Sequence, residues 1–166
     1  MAAESGTPYF SHRACYINFA EHLQNTWNVN MLFPGGPNHW SAEDWHRFLV
    51  MIKAFGYNCF EYWLAPTLYD RPALEGGGLY AEFAATMRQV NELAHGLGLR
   101  TKFISPPNTI GPQWFFACPH VTEDKELIRA IWNHWTTELA GTDIIGIFHG
   151  DPGGCNRNGC THETFV

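Results

Sequence analysis

Two hydrophobic periods take turns along this chain, and few architectures accommodate the alternation. Ala14 to Leu23 alternates and is rich in Tyr, Ile and Phe, which predicts a strand running into a polar end at Glu21, His22 and Asn25. A long loop punctuated by Pro34-Gly35-Gly36-Pro37 leads to Ser41, a predicted helix cap with Asp44 in the capping-box position. The helix carries Trp45, Phe48, Leu49, Ile52 and Phe55 at helical spacing and stops at Gly56. Tyr57 to Leu64 is too short for a helix and reads as the second strand. After Gly76-Gly77-Gly78 a second helix begins near Leu79, presents Phe83, Met87, Val90 and Ala94 on one face, and ends at Gly96 or Gly98. Leu99 to Ser105 is the third strand, closed by Pro106-Pro107. A loop with Trp114 and Cys118-Pro119-His120 precedes Thr122, the predicted cap of a third helix with Glu123 and Asp124 in its positive first turn. Leu127, Ala130, Ile131, His134 and Trp135 form that helix's buried stripe and Gly141 closes it. Asp143 to His149 is the fourth strand, ending in Gly150-Asp151-Pro152-Gly153-Gly154.

Strands alternating with helices at this spacing need right-handed crossovers and parallel pairing, which leaves a (β/α) barrel or an open doubly wound sheet. A Gly-rich phosphate loop after the first strand would mark the open sheet, and neither G-x-G-x-x-G nor a P-loop pattern occurs there. The barrel is favoured because each strand delivers polar residues at its C-terminal end, where barrel enzymes build their sites. The expected fold is α/β, a parallel (β/α) TIM-barrel type of about four βα units, with residues 1–166 as a single domain. A closed barrel takes about 250 residues, so the expectation is an incomplete barrel, the first half of a (β/α)8 domain. Its open sheet edges call for a missing C-terminal half or a second copy to cover them.

A hydrophobic content of 45% with 16% charged residues belongs to a globular chain. The net charge of -6 and the scarcity of Lys and Arg argue against nucleic acid, whose binders neutralise phosphates with basic side chains. No apolar run reaches the roughly 18 residues that span a bilayer, and Met1 to Gly6 lacks the basic start and apolar stretch of a signal peptide. The chain is expected to be soluble and apart from membranes. Its compartment stays open, because removal of a signal peptide before Met1 would leave the same start. Seven Trp and nine His are many for this length, and those in predicted loops can grip a polar ligand, while core packing accounts for most of the Trp.

If the strands are parallel, four groups of residues converge at one rim. Strand one supplies Glu21, His22, Asn25 and Trp27; strand two supplies Glu61 and Trp63; the third loop supplies Asn108, Trp114, Cys118 and His120; strand four supplies His149 and Asp151. By strand parity Ile145, Ile147, His149 and Asp151 share one face, and Cys59, Glu61 and Trp63 share one. A carboxylate at such a rim is costly to bury without a partner or a task. The competing readings are a structural salt bridge for Glu61, a turn former for Asp151 and a structural imidazole for His149.

Cys155-x4-Cys160-x-His162, with Cys118-x-His120 one βα unit earlier, offers thiolates and imidazoles at short separations that suit tetrahedral zinc. Cys118, Cys155, Cys160 and His162 are the candidate ligands. Free buried thiols, or a Cys155 to Cys160 disulfide in an exported protein, compete with the metal.

Ala117-Cys118-Pro119-His120 ahead of a helix, followed by His149-Gly150-Asp151-Pro152-Gly153-Gly154-Cys155 and Cys160, resembles the catalytic (β/α) barrel of bacterial glycoside hydrolases related to family 20 hexosaminidases and family 67 α-glucuronidases. The resemblance covers only the first half of that barrel. It implies hydrolysis of O-glycosidic bonds, a carbohydrate substrate and no required cofactor. In family 20 a His-x-Gly-Gly-Asp-Glu pattern ends the fourth strand, its Asp orienting the substrate's acetamido group and its Glu protonating the leaving oxygen. Asp151 matches that Asp, and Pro152 stands where the Glu would be. Glycoside hydrolysis needs two carboxylates flanking the bond, and Asp151 with Glu61 is one possible catalytic pair, the other being Asp151 with a partner in a missing C-terminal half. Trp27, Trp63 and Trp114 would stack on sugar faces, with Glu21, His22, Asn25, Asn108 and His149 binding hydroxyls. A non-catalytic sugar-binding or assembly half-barrel, and a zinc-dependent barrel enzyme, are the alternatives.

Overall fold

The structure is a computed structural model and describes residues 9–18, 40–63, 78–105, 109–110, 115–147, 155 and 160. Strand β1 (Ala14–Asn18) is followed by α1 (Ala42–Ala54), β2 (Cys59–Trp63), α2 (Gly78–Gly96), β3 (Arg100–Ser105), the two-residue strands β4 (Thr109–Ile110) and β5 (Phe115–Phe116), α3 (Thr122–Glu138) and β6 (Ile144–Ile147). Four strands form one sheet in the order β1-β2-β3-β6, and all three pairings are parallel. The expected α/β class and parallel sheet are therefore present. The antiparallel pair β4-β5 lies inside the stretch read as a plain loop, because two-residue strands are too short to leave a period in the sequence.

The helices start and stop for local reasons. At α1 the Ser41 hydroxyl accepts the Asp44 N–H (3.2 Å) while the Asp44 carboxylate accepts the Ser41 N–H (3.0 Å), so the predicted capping box is in place. The Ser41 hydroxyl also donates to the Asp44 carboxylate (2.6 Å), and this bond, with the one from the Ser41 N–H, holds the Asp44 carboxyl below its ordinary range. At the other end Gly56 adopts φ 87°, the Gly56 N–H donates to the Lys53 carbonyl (2.9 Å) and the Tyr57 N–H to that of Ile52 (3.1 Å). This is a Schellman stop. Helix α2 ends the same way, with Gly98 at φ 74°, Gly98 N–H to His95 carbonyl (2.8 Å) and Leu99 N–H to Ala94 carbonyl (2.9 Å). A Cβ added at Gly56 would meet nothing within 4 Å, so Gly56→Ala isolates the backbone cost of the left-handed region. We expect it to lower stability by about 1 kcal/mol, read as a shifted urea midpoint with an unchanged slope.

Two boundaries differ from the sequence reading. The N-cap of α3 is Val121, not Thr122, and no side chain caps it; Asp124, three residues in, instead accepts the Cys118 N–H (2.8 Å). The helix ends at Glu138 with Leu139 as C-cap, so Gly141 does not close it.

Among the described residues one apolar core joins α1, α2 and α3 to one face of the sheet. It contains Ile17, Phe60, Tyr62 and Phe103 from the strands, Trp45, Phe48, Leu49 and Ile52 from α1, Met87, Val90 and Ala94 from α2, and Ile131 and Trp135 from α3. Ring contacts carry the packing across layers: Trp45 meets Phe60 edge-on at 5.6 Å, Phe103 stacks on Trp132 at 6.2 Å, and Trp135 meets Phe103 edge-on at 6.1 Å. The stripe expected on α3 is only partly correct, since Ala130 is exposed and Leu127 and His134 are half-buried. No described helix is long and apolar enough to cross a membrane.

Candidate functional site: a thiol cluster and the open sheet face

The strand register sorts side chains into two faces. Tyr62 and Phe103 lie on the helix-covered face, and Ile145, aligned with them on β6, continues that face without helix cover among the described residues. Tyr16, Glu61, Lys102 and Ile144 form an aligned row on the other face, with Asn18, Trp63, Ile104 and Gly146 as the next row toward the carboxyl ends. Among the described residues no helix packs on this second face.

Glu61 sits in the middle of β2, not at its end, and its carboxylate pairs with the Lys102 ammonium at 3.1 Å. The pair is largely shielded, with side-chain exposures of 14% for Glu61 and 23% for Lys102, so removing either partner alone would strand a charge. Gly146 makes room for it: a Cβ there would come within 2.9 Å of Lys102 Cε. Tyr16, beside Glu61 on β1, has its phenol pushed up to about 12 by burial and then by the Glu61 charge. Cys59, next along the Glu61 face, is fully buried, and its thiol is pushed up to about 11, chiefly by burial. Lys102 and Tyr16 were not singled out from sequence. Their alignment with Glu61 is set by the register between strands, which alternation within a single strand does not fix.

Trp63 is the last residue of β2, at the carboxyl rim, and half-buried. Strand parity groups Ile145 with Ile147 and Cys59 with Glu61 and Trp63, and the register shows that these are two different faces: Ile145 and Ile147 lie opposite Glu61, are exposed at 47% and 53%, and β6 spans Ile144–Ile147. His149 and Asp151 lie outside the described residues, as do Glu21, His22, Asn25, Trp27, Asn108, Trp114 and His162.

The thiols expected to gather do gather. Cys118, Cys155 and Cys160 are all buried, their sulfurs lie within 4.8 Å of one another, and none is in a disulfide. They form a small cluster of their own, apart from the main core, with Val121 packed against it. Burial is the chief cause that pushes the Cys118 thiol up, reinforced by Cys155 and opposed by the His120 N–H directed at its sulfur. The His120 side chain itself is exposed. Three buried sulfurs at this separation could hold a metal ion.

A third polar group lies at the opposite end of the sheet. Asp143, just before β6, accepts the Thr101 N–H (2.7 Å) and Thr101 hydroxyl (3.3 Å) and contacts His95 Nε2 (2.8 Å). Nearby, Thr142 Oγ1 meets the Tyr62 hydroxyl (3.0 Å) and accepts from Asn91 (3.1 Å). The network ties the end of α2 and the start of β3 to the segment that leads into β6. Burial pushes the Asp143 carboxyl up, but the Thr101 and His95 contacts outweigh it and leave it below the ordinary carboxylate range. A folded value below the unfolded one means that its stabilisation is present above the unfolded value and is lost as pH falls through the folded one. Asp143→Ala is expected to cost about 1–2 kcal/mol at pH 7, with the difference from the parent shrinking toward pH 3 in urea titrations.

No protein-family model matches the chain, and no curated sequence matches it.

Proposed function

We propose that this chain is a carbohydrate-active protein of the glycoside hydrolase type, its sheet forming half of a TIM-barrel-type domain. The observation that carries the reading is the winding: β1-β2-β3-β6 run in unbroken sequential order with the helices packed on one face. Right-handed crossovers that always advance in one direction keep every helix on the same side and leave the other face to curl inward. A doubly wound sheet instead reverses its strand order and covers both faces. In the proposed barrel the Glu61–Lys102 row lies in the lumen, and the carboxyl ends of the strands form the mouth.

Asp151, four residues past β6, is the first catalytic candidate, and Glu61 is its proposed partner, oriented by Lys102. Hydrolysis needs two carboxyl groups about 5–5.5 Å apart for retention or about 6.5–9.5 Å for inversion. Trp63 at the rim, with Trp27 and Trp114, would supply flat faces for sugar rings, and Glu21, His22, Asn25, Asn108 and His149 would bind hydroxyls. Zinc is the ion proposed for Cys118, Cys155 and Cys160, with His162 as the fourth ligand, since thiolate-rich sets favour it. The exposed Ile145 and Ile147 on edge strand β6 fit a sheet that continues into a C-terminal half or a second copy. Neither nucleic acid nor membrane is proposed as a partner.

The Glu61–Lys102 pair also favours a second reading, a sugar-binding module without turnover, because a carboxylate already matched by an ammonium can be purely structural. A panel of aryl glycosides and oligosaccharides, followed by chromatography and calorimetry, separates the two. Released sugar supports the hydrolase, binding without release supports the module, and neither for any carbohydrate contradicts both.

A further inference from the structure

We infer that Cys118, Cys155 and Cys160 form a structural zinc clasp that ties the entrance of α3 to the chain segment following β6. The inference rests on the zinc assignment above and is independent of any glycoside chemistry.

The three residues come from either end of one α3–β6 unit, so their meeting is tertiary and not a consequence of local spacing. Tetrahedral zinc with Zn–S bonds of about 2.3 Å places its sulfurs roughly 3.8 Å apart. Sulfurs already within 4.8 Å need only a small contraction to reach that geometry. A disulfide would use two of the three and leave the third buried beside it without a role, whereas a tetrahedral ion uses all of them.

The surroundings of Cys118 are those of an oriented ligand. Its carbonyl accepts the Val121 N–H (3.0 Å), closing a tight turn with Pro119 at the position where fixed φ is favoured. Its own N–H is held by the Asp124 carboxylate (2.8 Å), and the His120 N–H is directed at its sulfur. Backbone donors to sulfur and carboxylate anchors behind the ligand are the outer-shell contacts that fix metal thiolates.

The role is structural because of the donor set and its burial. Cys118 and Cys160 are 0% exposed and Cys155 is 7% exposed, which leaves the cluster closed to bulk water. Catalytic zinc sites keep an open position and draw mainly on His and carboxylate, whereas closed thiolate-rich sets stabilise folds. The ion would tie Cys155 and Cys160 to Cys118 at the entrance of α3. A clasp of this kind would steady the residues that follow the fourth parallel strand.

The test uses the full chain purified without chelators, with metal content measured by mass spectrometry and melting followed before and after chelation under reducing conditions. About one zinc per chain is expected, with a melting temperature that falls by roughly 10 °C on removal and recovers when zinc is restored. Cobalt in place of zinc should give thiolate charge-transfer absorption, and Cys160→Ser should lose both metal and absorption. If that variant does not fold, reversible zinc removal from the parent still decides the question. Zinc below roughly a tenth of an equivalent, or a disulfide among the three cysteines, overturns both ion and clasp. One bound zinc with unchanged melting on its removal overturns the clasp and leaves the ion assignment standing.

Discussion

Trp135→Ala is expected to remove about 3–5 kcal/mol of folding stability. That is a large part of the 5–15 kcal/mol that typically separates folded from unfolded domains. Trp135 is 1% exposed and stands where α3 meets the sheet, edge-on to Phe103 at 6.1 Å and to Trp132 at 5.0 Å. Truncation leaves a hole bounded by aromatic rings on rigid elements, which cannot collapse to fill it. Exposed Glu126 on the same helix provides the control, with Glu126→Ala expected to stay within about 0.5 kcal/mol of the parent. Urea titration of both variants is the measurement. A Trp135→Ala loss below about 1 kcal/mol would mean that α3 does not pack on the sheet as described.

On the proposed hydrolase reading, Asp151→Asn is expected to lower glycoside turnover by about 10²- to 10⁴-fold, the usual worth of a carboxylate that orients the substrate or moves a proton. Asparagine is chosen because it forms turns as readily as aspartate does. The substitution keeps whatever conformational preference Asp151 gives its Gly-rich segment and removes only the charge and the titrating proton. Far-ultraviolet circular dichroism and melting should therefore match the parent while kcat drops and KM changes little. Unchanged hydrolysis of every accepted glycoside would take Asp151 out of the chemistry and leave it as a turn residue.

The parts of this fold that were legible in the sequence are those dictated by contacts within a few residues. The Ser41–Asp44 box, the glycine stops at Gly56 and Gly98, and the Met87, Val90 and Ala94 stripe each depend on one helix and its ends. Thr122 was misread as a cap because the helix begins one residue earlier: Val121 is the N-cap without a side-chain bond, and Asp124 accepts the Cys118 N–H six residues back. Ala130 was misread as buried because helical spacing gives a stripe but not its width.

For the candidate site, the thiol trio was visible as Cys-rich spacing, yet only folding shows that Cys118 joins Cys155 and Cys160. The Glu61–Lys102 pair depends on the register between two strands, which a period of two leaves free to slip. The same register separates Glu61 from the face of Ile145 and Ile147.

The most direct measurement is a titration of isotope-labelled chain with a bound oligosaccharide, followed through backbone amide shifts. Perturbations are predicted at the carboxyl ends of the parallel strands, around Asn18, Trp63, Ser105 and Ile147. Perturbations confined to the amino ends, around Arg13, Asn58, Leu99 and Asp143, or no response to any carbohydrate, would contradict a sugar site at the barrel mouth.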